Sequence, residues 1–236
     1  MVNIRNFYGS GFGNRLINPL NYPEEIVGYL SAEHRFLMEK IENFQVLIEV
    51  GCMQGRCLEQ VVEVNKSYIG IDIVEEYIEA AILRANALSI DAKKYDFLCL
   101  DAANLHNVLA LTKLDKFKSK EALIFFPFNS FGNIENVNNV LSSLKKSGIN
   151  FFISTYKTDK ITNMLRMEYY QRCNYRNVLE INESNGKRFI SDEGLSTIAY
   201  LENWIISKFD DENIEVQVVD LDLIGVGYLS VSNLDL

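Results

Sequence analysis

The chain has 236 residues, of which 48% are hydrophobic and 23% charged, so it is long enough to form one sizeable globular core. Its 23 basic and 32 acidic residues give a net charge of −9, which argues against a nucleic-acid substrate because an acidic surface repels a phosphate backbone. No apolar run reaches the roughly 20 residues of a membrane span, and the N-terminal residues lack the apolar core of a signal peptide.

The four cysteines form neither a C-x-x-C pair nor the paired spacing of a zinc site. Cys99 lies within an apolar run, so we expect a buried free thiol. Free cysteines without a signal peptide predict a cytoplasmic protein, and the sequence predicts no metal site.

Residues 1–23 are rich in glycine and asparagine and predict a flexible, irregular N-terminal arm. The apolar side chains of Phe7, Tyr8 and Phe12 give this arm something to bury. A loose tail and a lid that closes over a ligand are both compatible with such a composition.

From residue 24 onward, segments with helical periodicity alternate with apolar runs of strand length. The predicted elements are, in chain order, a helix at 24–42, a strand at 45–50, a helix at 55–64, a strand at 67–73, a helix at 75–90, strands at 95–102 and 121–128, a helix at 133–148, a strand at 149–156, a hairpin over 177–191, a helix at 192–209, and strands at 214–223 and 225–231. Apolar strands separated by helices pair in parallel. The last two strands leave no room for a crossover helix, so they pair antiparallel. We therefore predict one α/β domain over residues 1–236.

Two finer expectations belong to the last third of the chain. Asn185-Gly186 is expected at the hairpin turn, because this dipeptide favours the tight turns of two-residue hairpins. Tyr200 and Trp204 stand four residues apart in the helix predicted at 192–209, so we expect both to pack in the core from one face of that helix.

Residues 46–61, VLIEVGCMQGRCLEQV, place an acidic residue near the end of a buried strand and a glycine turn before a helix. Glu49 stands where a carboxylate can meet a ligand's ammonium group, while Gly51 and Gly55 allow the backbone to approach the ligand. The run lacks the third glycine of the dinucleotide-binding fingerprint, and an acidic residue before Gly51 would repel a phosphate.

This segment resembles motif I of the class I S-adenosylmethionine-dependent methyltransferases, D/E-x-G-x-G-x-G. Glu49, Gly51 and Gly55 match its acidic position and its first and last glycines, whereas Met53 replaces the middle glycine and follows Cys52 in the turn. The resemblance implies a Rossmann-like doubly wound sheet, S-adenosylmethionine as cofactor, and methyl transfer as the reaction.

The resemblance also implies cofactor contacts at the ends of the next two strands. Asp72 corresponds to the carboxylate that binds the ribose hydroxyls, and Ile73 to the apolar residue against the adenine face. Asp101 and Ala102 correspond to the adenine edge. As alternatives, Asp72 and Asp101 cap helices or end strands.

Phe126-Pro127-Phe128-Asn129 occupies the place of motif IV, where the resembling family brings the cofactor's methyl group to the acceptor. We therefore expect Phe128 at the cofactor. Asn129 is expected either at the acceptor or as a helix cap, and Asn133 as a cap.

Further contacts are expected from residues outside these motifs. If the arm closes as a lid, Arg15 meets the cofactor's carboxylate and Tyr8 meets the acceptor. Tyr156, at the end of a strand, either touches the acceptor or covers the sheet. Of the two histidines, His34 is expected at the surface and His106 near the cofactor, and we expect neither to act as a base.

The acidic charge and modest size favour methylation of nitrogen or oxygen in a small molecule. Two alternatives stay open. Methylation of a protein or peptide would need an open groove, and a non-catalytic S-adenosylmethionine-binding module is supported by Met53. Because the cofactor's methyl group is already activated, the reaction needs no fixed catalytic residue, and motif I does not define the acceptor.

Overall fold

A seven-stranded sheet forms the centre of the protein in the computed structural model, which describes residues 4–230. The strands in this range are β1 (Val46–Val50), β2 (Ser67–Asp72), β3 (Tyr95–Cys99), β4 (Ala122–Phe126), β5 (Asn150–Tyr156), β6 (Leu179–Glu183), β7 (Gly186–Ile190), β8 (Ser196–Tyr200), β9 (Val216–Leu221) and β10 (Gly225–Ser230). The central sheet has the order β3-β2-β1-β4-β5-β10-β9. Its first five strands are parallel, and β10 pairs antiparallel with β5 and β9. The predicted fold class is confirmed.

Helices cover the sheet, and they were mostly expected from the periodicity. The α-helices of the described chain are α1 (Ile4–Gly9), α2 (Glu24–Ile41), α3 (Leu58–Glu63), α4 (Glu75–Ala87), α5 (Val108–Leu111), α6 (Val137–Ser147), α7 (Lys160–Arg172) and α8 (Glu202–Asp211). Short 3-10 helices occur at Phe12–Ile17, Pro19–Asn21, Ala102–Asn107, Ser119–Glu121 and Ser130–Asn133. None of the described helices is long and apolar enough to cross a membrane.

The side chains of β1 alternate between two apolar cores. Leu47 packs with the core that includes residues of α2, α3 and α4, whereas Val46, Ile48 and Val50 pack with the core that includes residues of α6 and α8. A strand buried on both faces explains why its sequence is apolar at every position except Glu49. Glu49 shares the face of Leu47, which decides where its carboxylate points.

The helix predicted at 192–209 is wrong in its first half. Residues 196–200 form β8, which pairs antiparallel with β7 in a separate three-stranded sheet, and helix α8 begins only at Glu202. The β-branched residues Thr197 and Ile198 favour a strand, and strand pairing overrides the helical spacing of the apolar residues. The hairpin ahead of it, β6 with β7, is confirmed, but Glu183 pairs with Gly186, so the two turn residues are Ser184 and Asn185 rather than Asn185 and Gly186.

Because residues 196–200 form a strand, the geometry expected for Tyr200 and Trp204 also differs from the observed one. They do not share a helix, because Tyr200 ends β8 and Trp204 belongs to α8. Their rings nevertheless stack, with centroids 4.7 Å apart. The core packing of Tyr200 is confirmed, since it is buried, while Trp204 is half-buried.

No element was predicted for residues 157–176, where the structure contains α7. The Asp159 side chain caps this helix by accepting a hydrogen bond from the Thr162 amide at 3.0 Å. Polar residues on its inner face, including Thr162, Asn163 and Arg166, are buried. They interrupt the apolar period from which a helix is normally predicted.

The N-terminal arm is more regular than expected. Residues 4–21 form α1 and two short 3-10 helices, and Phe7 is buried in the core with 4% of its surface exposed. The Tyr77 and Tyr175 hydroxyls donate hydrogen bonds to the carbonyl oxygens of Tyr8 and Phe12 at 3.0 and 2.8 Å. The segment thus has defined secondary structure and side-chain contacts.

The burial expected for Cys99 is wrong, because its side chain is exposed. Cys99 is the last residue of β3, which is an edge strand of the central sheet. An edge strand has a neighbouring strand on one side only, so an apolar run there does not require every side chain to be buried. The other three cysteines are buried, and all four are free thiols.

Candidate functional site

A cavity of about 1080 Å³ lies beyond the carboxyl ends of the parallel strands. The strand register sets Val50 opposite Ile71 and Asp72 opposite Cys99, so β1, β2 and β3 end at one edge. Open α/β sheets bind their ligands at this edge. Eleven of the fourteen residues expected at the site line the cavity: Tyr8, Gly51, Cys52, Met53, Asp72, Ile73, Asp101, Ala102, Phe128, Asn129 and Tyr156. Glu49, Gly55 and Arg15 do not line it.

The loop after β1 forms the floor of the cavity. Gly51 has a φ of 78°, and a Cβ added there would lie 3.0 Å from the Ser130 Cβ, so a glycine is required on both counts. Met53 has a φ of 47°, a left-handed conformation that L-residues rarely adopt. Met53 therefore adopts a backbone conformation in which a glycine would be expected. The loop forms even though the middle glycine of the motif is replaced by methionine.

The carboxylate of Asp72 faces the cavity and holds this loop. Its two oxygens accept hydrogen bonds from the amides of Met53 and Val74 at 2.9 and 3.0 Å. The residue is 7% exposed, and burial raises the pKa of its carboxyl group. A carboxylate offers about four acceptor positions, so two are left for hydroxyl donors from a ligand.

Glu49 lies elsewhere than expected. Its side chain points into the core that covers the Leu47 face of β1, where it accepts hydrogen bonds from the Tyr68 hydroxyl at 2.5 Å and the Cys57 amide at 3.1 Å. Burial raises the pKa of this carboxyl group. The side chain of a residue inside a strand faces a sheet surface rather than the strand end, so Glu49 fixes the start of α3 instead of meeting a ligand.

Gly55 and Arg15 are also outside the cavity. A Cβ on Gly55 would meet the ring of Phe97 at 3.3 Å, so this glycine faces the interior. The Arg15 guanidinium donates to the carbonyl oxygen of Asn174 at 2.9 Å and lies over the rings of Phe12 and Tyr175. These contacts hold the arm against the end of α7 and direct Arg15 away from any cofactor in the cavity.

At the end of β3, Asp101 serves as a cap and also lines the cavity. Its carboxylate accepts a hydrogen bond from the Ala103 amide at 2.9 Å and so begins the 3-10 helix Ala102–Asn107. Asp101 is exposed, and one of its oxygens is still available to a ligand. Ile73 and Ala102 complete the apolar surface beside it.

The turn after β4 is held in a left-handed conformation at Phe128 and Asn129, with φ values of 43° and 59°. The Asn129 amide nitrogen donates to the Thr197 hydroxyl at 2.9 Å and the Ile198 carbonyl at 3.2 Å, and its oxygen accepts from Thr155. Asn129 makes no capping hydrogen bond from its side chain. It ties the turn to β8, so neither of its expected roles describes these contacts.

Asn133 does not cap the following helix, since Asn136 does so. Its side chain instead donates a hydrogen bond to the Tyr8 hydroxyl at 2.8 Å. The turn after β4 is thereby joined to the N-terminal segment across the cavity, and this contact places Tyr8 in the cavity wall.

An ion pair between a buried glutamate and a half-buried arginine, which was not predicted from the sequence, joins the two loops of the site. Glu33 on α2, which is 1% exposed, accepts a hydrogen bond from Arg56 at 2.6 Å and another from the Phe128 amide at 2.7 Å. Arg56 follows the glycine turn and lines the cavity. An acidic residue on the inner face of an amphipathic helix was the available signal, because such a residue is buried only with a partner.

Aromatic rings form the far side of the cavity. The Phe128 ring lies 5.9 to 6.0 Å, centroid to centroid, from the rings of Tyr22, Tyr29, Tyr156 and Tyr169. Four of these five residues, all except Tyr29, line the cavity together with Tyr170. A surface of this kind suits a flat or apolar molecule.

The histidines stay outside this site. His34 is exposed, as predicted. His106 is exposed too and contacts Ser143 at 3.0 Å, but it does not line the cavity as expected. Among residues 4–230, no group of three or more His, Cys, Asp or Glu side chains could hold a metal ion.

The comparisons with known proteins agree with this geometry. Residues 41–213 match the family model described as a methyltransferase domain, which is most of the chain. The chain therefore belongs to this family, and it is an S-adenosylmethionine-dependent methyltransferase. No curated protein matches the chain significantly.

Solved structures share the fold at low sequence identity. A methyltransferase dependent on S-adenosylmethionine from Aquifex aeolicus is 16% identical, with a TM-score of 0.56 over 94% of this chain and 96% of the other. The 1,6-didemethyltoxoflavin N1-methyltransferase of Burkholderia thailandensis is 10% identical, with a TM-score of 0.61 over 96% and 85% of the two chains. The magnesium protoporphyrin IX methyltransferase of Synechocystis is 10% identical, with a TM-score of 0.60 over 97% and 96%.

Proposed function

We propose that the protein transfers the methyl group of S-adenosylmethionine to a nitrogen or oxygen atom of a small molecule. The observation that carries this proposal is the single cavity that joins the glycine loop, the turn after β4 and the aromatic wall. Its volume, about 1080 Å³, lies at the upper end of small-molecule sites, which are roughly 300–1,000 Å³, so two molecules fit side by side.

The residues present fit the cofactor. Asp72 accepts from the ribose hydroxyls, and Asp101 from the exocyclic amine of the adenine ring, which rests against Ile73 and Ala102. The backbone of Gly51, Cys52 and Met53 borders the remaining part of the cofactor. The fit is supported by the buried carboxylate of Asp72, which faces the cavity with acceptor positions to spare.

S-adenosylmethionine supplies an activated methyl group, so the reaction is an in-line displacement in which the protein mainly orients the acceptor and excludes water. Tyr156 holds the acceptor by its ring face, and Phe128, in the turn after β4, borders the cofactor as predicted and also faces the acceptor. Tyr8 closes the cavity from the side of the N-terminal segment, with its hydroxyl fixed by Asn133. Asn129 keeps the turn after β4 in shape rather than contacting the acceptor.

The structural neighbours act on different acceptors by their names, including a toxoflavin precursor, a magnesium porphyrin and, in one case from Streptomyces coelicolor, geranyl diphosphate. This variety supports a small molecule and leaves the atom to be found by experiment. A cytoplasmic location is part of the proposal and rests on the four free cysteines.

A methyl-transfer screen tests the proposal. The full chain is first titrated with S-adenosylhomocysteine to establish cofactor binding, and then incubated with labelled S-adenosylmethionine and a library of amines, phenols and peptides. Label in small nitrogen or oxygen compounds is expected. Label confined to peptides would favour the protein-methylation alternative, and cofactor binding with no transfer to any compound would favour a binding module.

A further inference from the structure

Arg166, on the inner face of α7, is a cation buried without an anion. The residue is 0% exposed, and within residues 4–230 its guanidinium forms no ion pair. Nη1 donates one long hydrogen bond, 3.3 Å, to the carbonyl oxygen of Lys187. Nε and Nη2 have no hydrogen-bond partner of good geometry among the described residues, and the polar side chain that interacts with the guanidinium most closely is the neutral Tyr170. Buried arginines are normally paired, so this one calls for a negative charge that residues 4–230 do not supply.

Aromatic rings surround the guanidinium instead of carboxylates. Its carbon atom Cζ lies 4.5 Å from the ring centroid of Phe189, 4.8 Å from that of Tyr156 and 5.9 Å from that of Tyr170. Burial raises the pKa of both tyrosines, so both stay neutral and neither supplies the missing charge. Rings stabilise a buried cation only in part.

Tyr156 and Tyr170 separate Arg166 from the cavity that holds the acceptor. Both rings line that cavity and both contact the guanidinium, so the positive charge stands one side chain behind the aromatic wall. Charge interactions act at this range when the intervening medium is protein and the site excludes water.

Among residues 4–230, none of the acidic side chains forms an ion pair with Arg166. Three other arginines, Arg5, Arg56 and Arg84, line the cavity, and Arg56 and Arg84 form ion pairs with Glu33 and Glu59. Glu33 on α2 is engaged by Arg56 and the Phe128 amide, and Asp72 lies at the end of β2. The cofactor residues follow β1, β2 and β3, whereas Tyr156 ends β5, two strands beyond β1 in the sheet order. Neighbouring strands are about 4.8 Å apart, so Arg166 lies on the acceptor side of the site.

We propose that the acceptor is an aromatic anion, a flat molecule with negative charge on a ring substituent, and that Arg166 provides the positive charge that selects it. This inference rests on the proposed function, because it concerns the acceptor half of the same cavity. Arg166 acts as a specificity-determining residue through its charge, while the rings of Phe128 and Tyr156 hold the flat part of the molecule.

The test compares two probes of the same shape and different charge, 2-naphthoate and 2-naphthamide, by calorimetry on the full chain saturated with S-adenosylhomocysteine. We expect the anion to bind at least about tenfold more tightly than the amide. A charge interaction strong enough to shift a pKa by one unit changes an equilibrium constant tenfold. R166M keeps the length of the side chain and removes its charge, so it should abolish the preference. R166K keeps the charge and should restore most of it.

Several outcomes would overturn the inference. Equal affinity of the unmutated protein for both probes would do so without any variant, as would failure of the anion to bind a chain that binds S-adenosylhomocysteine. A preference for the anion that persists in folded R166M would show that another group selects it. If R166M instead loses S-adenosylhomocysteine affinity, Arg166 serves the cofactor. Failure of the unmutated chain to bind S-adenosylhomocysteine would contradict the proposed function itself.

Discussion

The carboxylate of Asp72 fixes the Met53 amide while keeping acceptor positions toward the cavity. Replacement by alanine removes both contacts. Hydrogen bonds to a charged group contribute about 1.5–3 kcal/mol, so D72A should weaken S-adenosylhomocysteine binding about tenfold or more. Calorimetry measures this, with circular dichroism to show that the variant is folded.

The matched control for D72A is D101A. Asp101 is exposed and also caps a helix, so its replacement should weaken cofactor binding less than D72A does. An unchanged dissociation constant in folded D72A would mean that Asp72 only shapes the loop.

Glu49 gives a second prediction at the scale of a residue. Burial raises the pKa of its carboxyl group in the folded chain above the unfolded value. A carboxyl group with a raised folded pKa stabilises the fold most at low pH, where it is protonated in both states, and this contribution is lost as the pH rises through the folded pKa. Glutamine cannot ionise, so E49Q lacks this loss.

We therefore expect the free energy of unfolding of E49Q to increase relative to that of the unmutated protein between pH 4 and pH 7, so that E49Q becomes comparatively more stable as the pH rises. Urea denaturation at several pH values measures the difference. A difference that stays constant over this range would show that Glu49 does not titrate with a raised pKa.

The elements of the first 156 residues could mostly be predicted, whereas the last third could be predicted only in part. Strands such as β1 and β4 are buried on both faces, and a mostly apolar run identifies them. Helix α7 and strand β8 cannot be identified in this way. α7 buries polar side chains, and the apolar residues in and after β8 recur at helical spacing. Pairing of β8 with β7 is a long-range interaction that periodicity does not contain.

The same limit applies to the candidate site. Asp72, Asp101 and Gly51 line the cavity because they follow strand ends, which the sequence reveals. Glu33 and Arg166 lie on the inner faces of helices and Arg56 lies in the loop before α3, and these elements meet only after folding. Strand ends are therefore a better sequence signal for this site than isolated polar residues on helices.

The N-terminal segment, residues 4–21, gives a prediction at the scale of an element. The segment packs beside the cavity through Tyr8, whose hydroxyl accepts a hydrogen bond from Asn133, and Arg5 also lines the cavity. We propose that it acts as a lid. Deletion of residues 1–13 removes no strand, because the first strand begins at Val46, so the central sheet should still form, with some loss of stability because Phe7 leaves the core. The folded truncated chain should lose methyl transfer much more than cofactor affinity.

Limited trypsin digestion gives an early test of the lid. S-adenosylhomocysteine should slow cleavage after Arg5 and Arg15, while cleavage after the exposed Arg172 serves as the control. A truncated chain that turns over its acceptor as fast as the full chain would show that the segment is no lid.

The topology of the whole molecule explains why one cavity serves both molecules. The order β3-β2-β1-β4-β5 brings the loops after β1, β2 and β3 to one half of the edge and the turns after β4 and β5 to the other. In the function proposed above, the cofactor occupies the first half and the acceptor the second.

Thermal unfolding tests which cofactor the protein binds, because a ligand that binds only the folded protein raises Tm. A ligand that binds only the folded state at about 100 times its dissociation constant stabilises that state by about 2.7 kcal/mol. For a chain of this size, each kcal/mol raises Tm by about 2–4 °C, so S-adenosylhomocysteine should raise it by about 5–10 °C. NAD should leave Tm unchanged, because the loop after β1 lacks the third glycine of the loops that bind a dinucleotide's pyrophosphate. D72A, measured at the same ligand concentration, should show a smaller shift than the unmutated protein. A shift with NAD equal to that with S-adenosylhomocysteine would contradict both the cofactor and the reaction proposed from it.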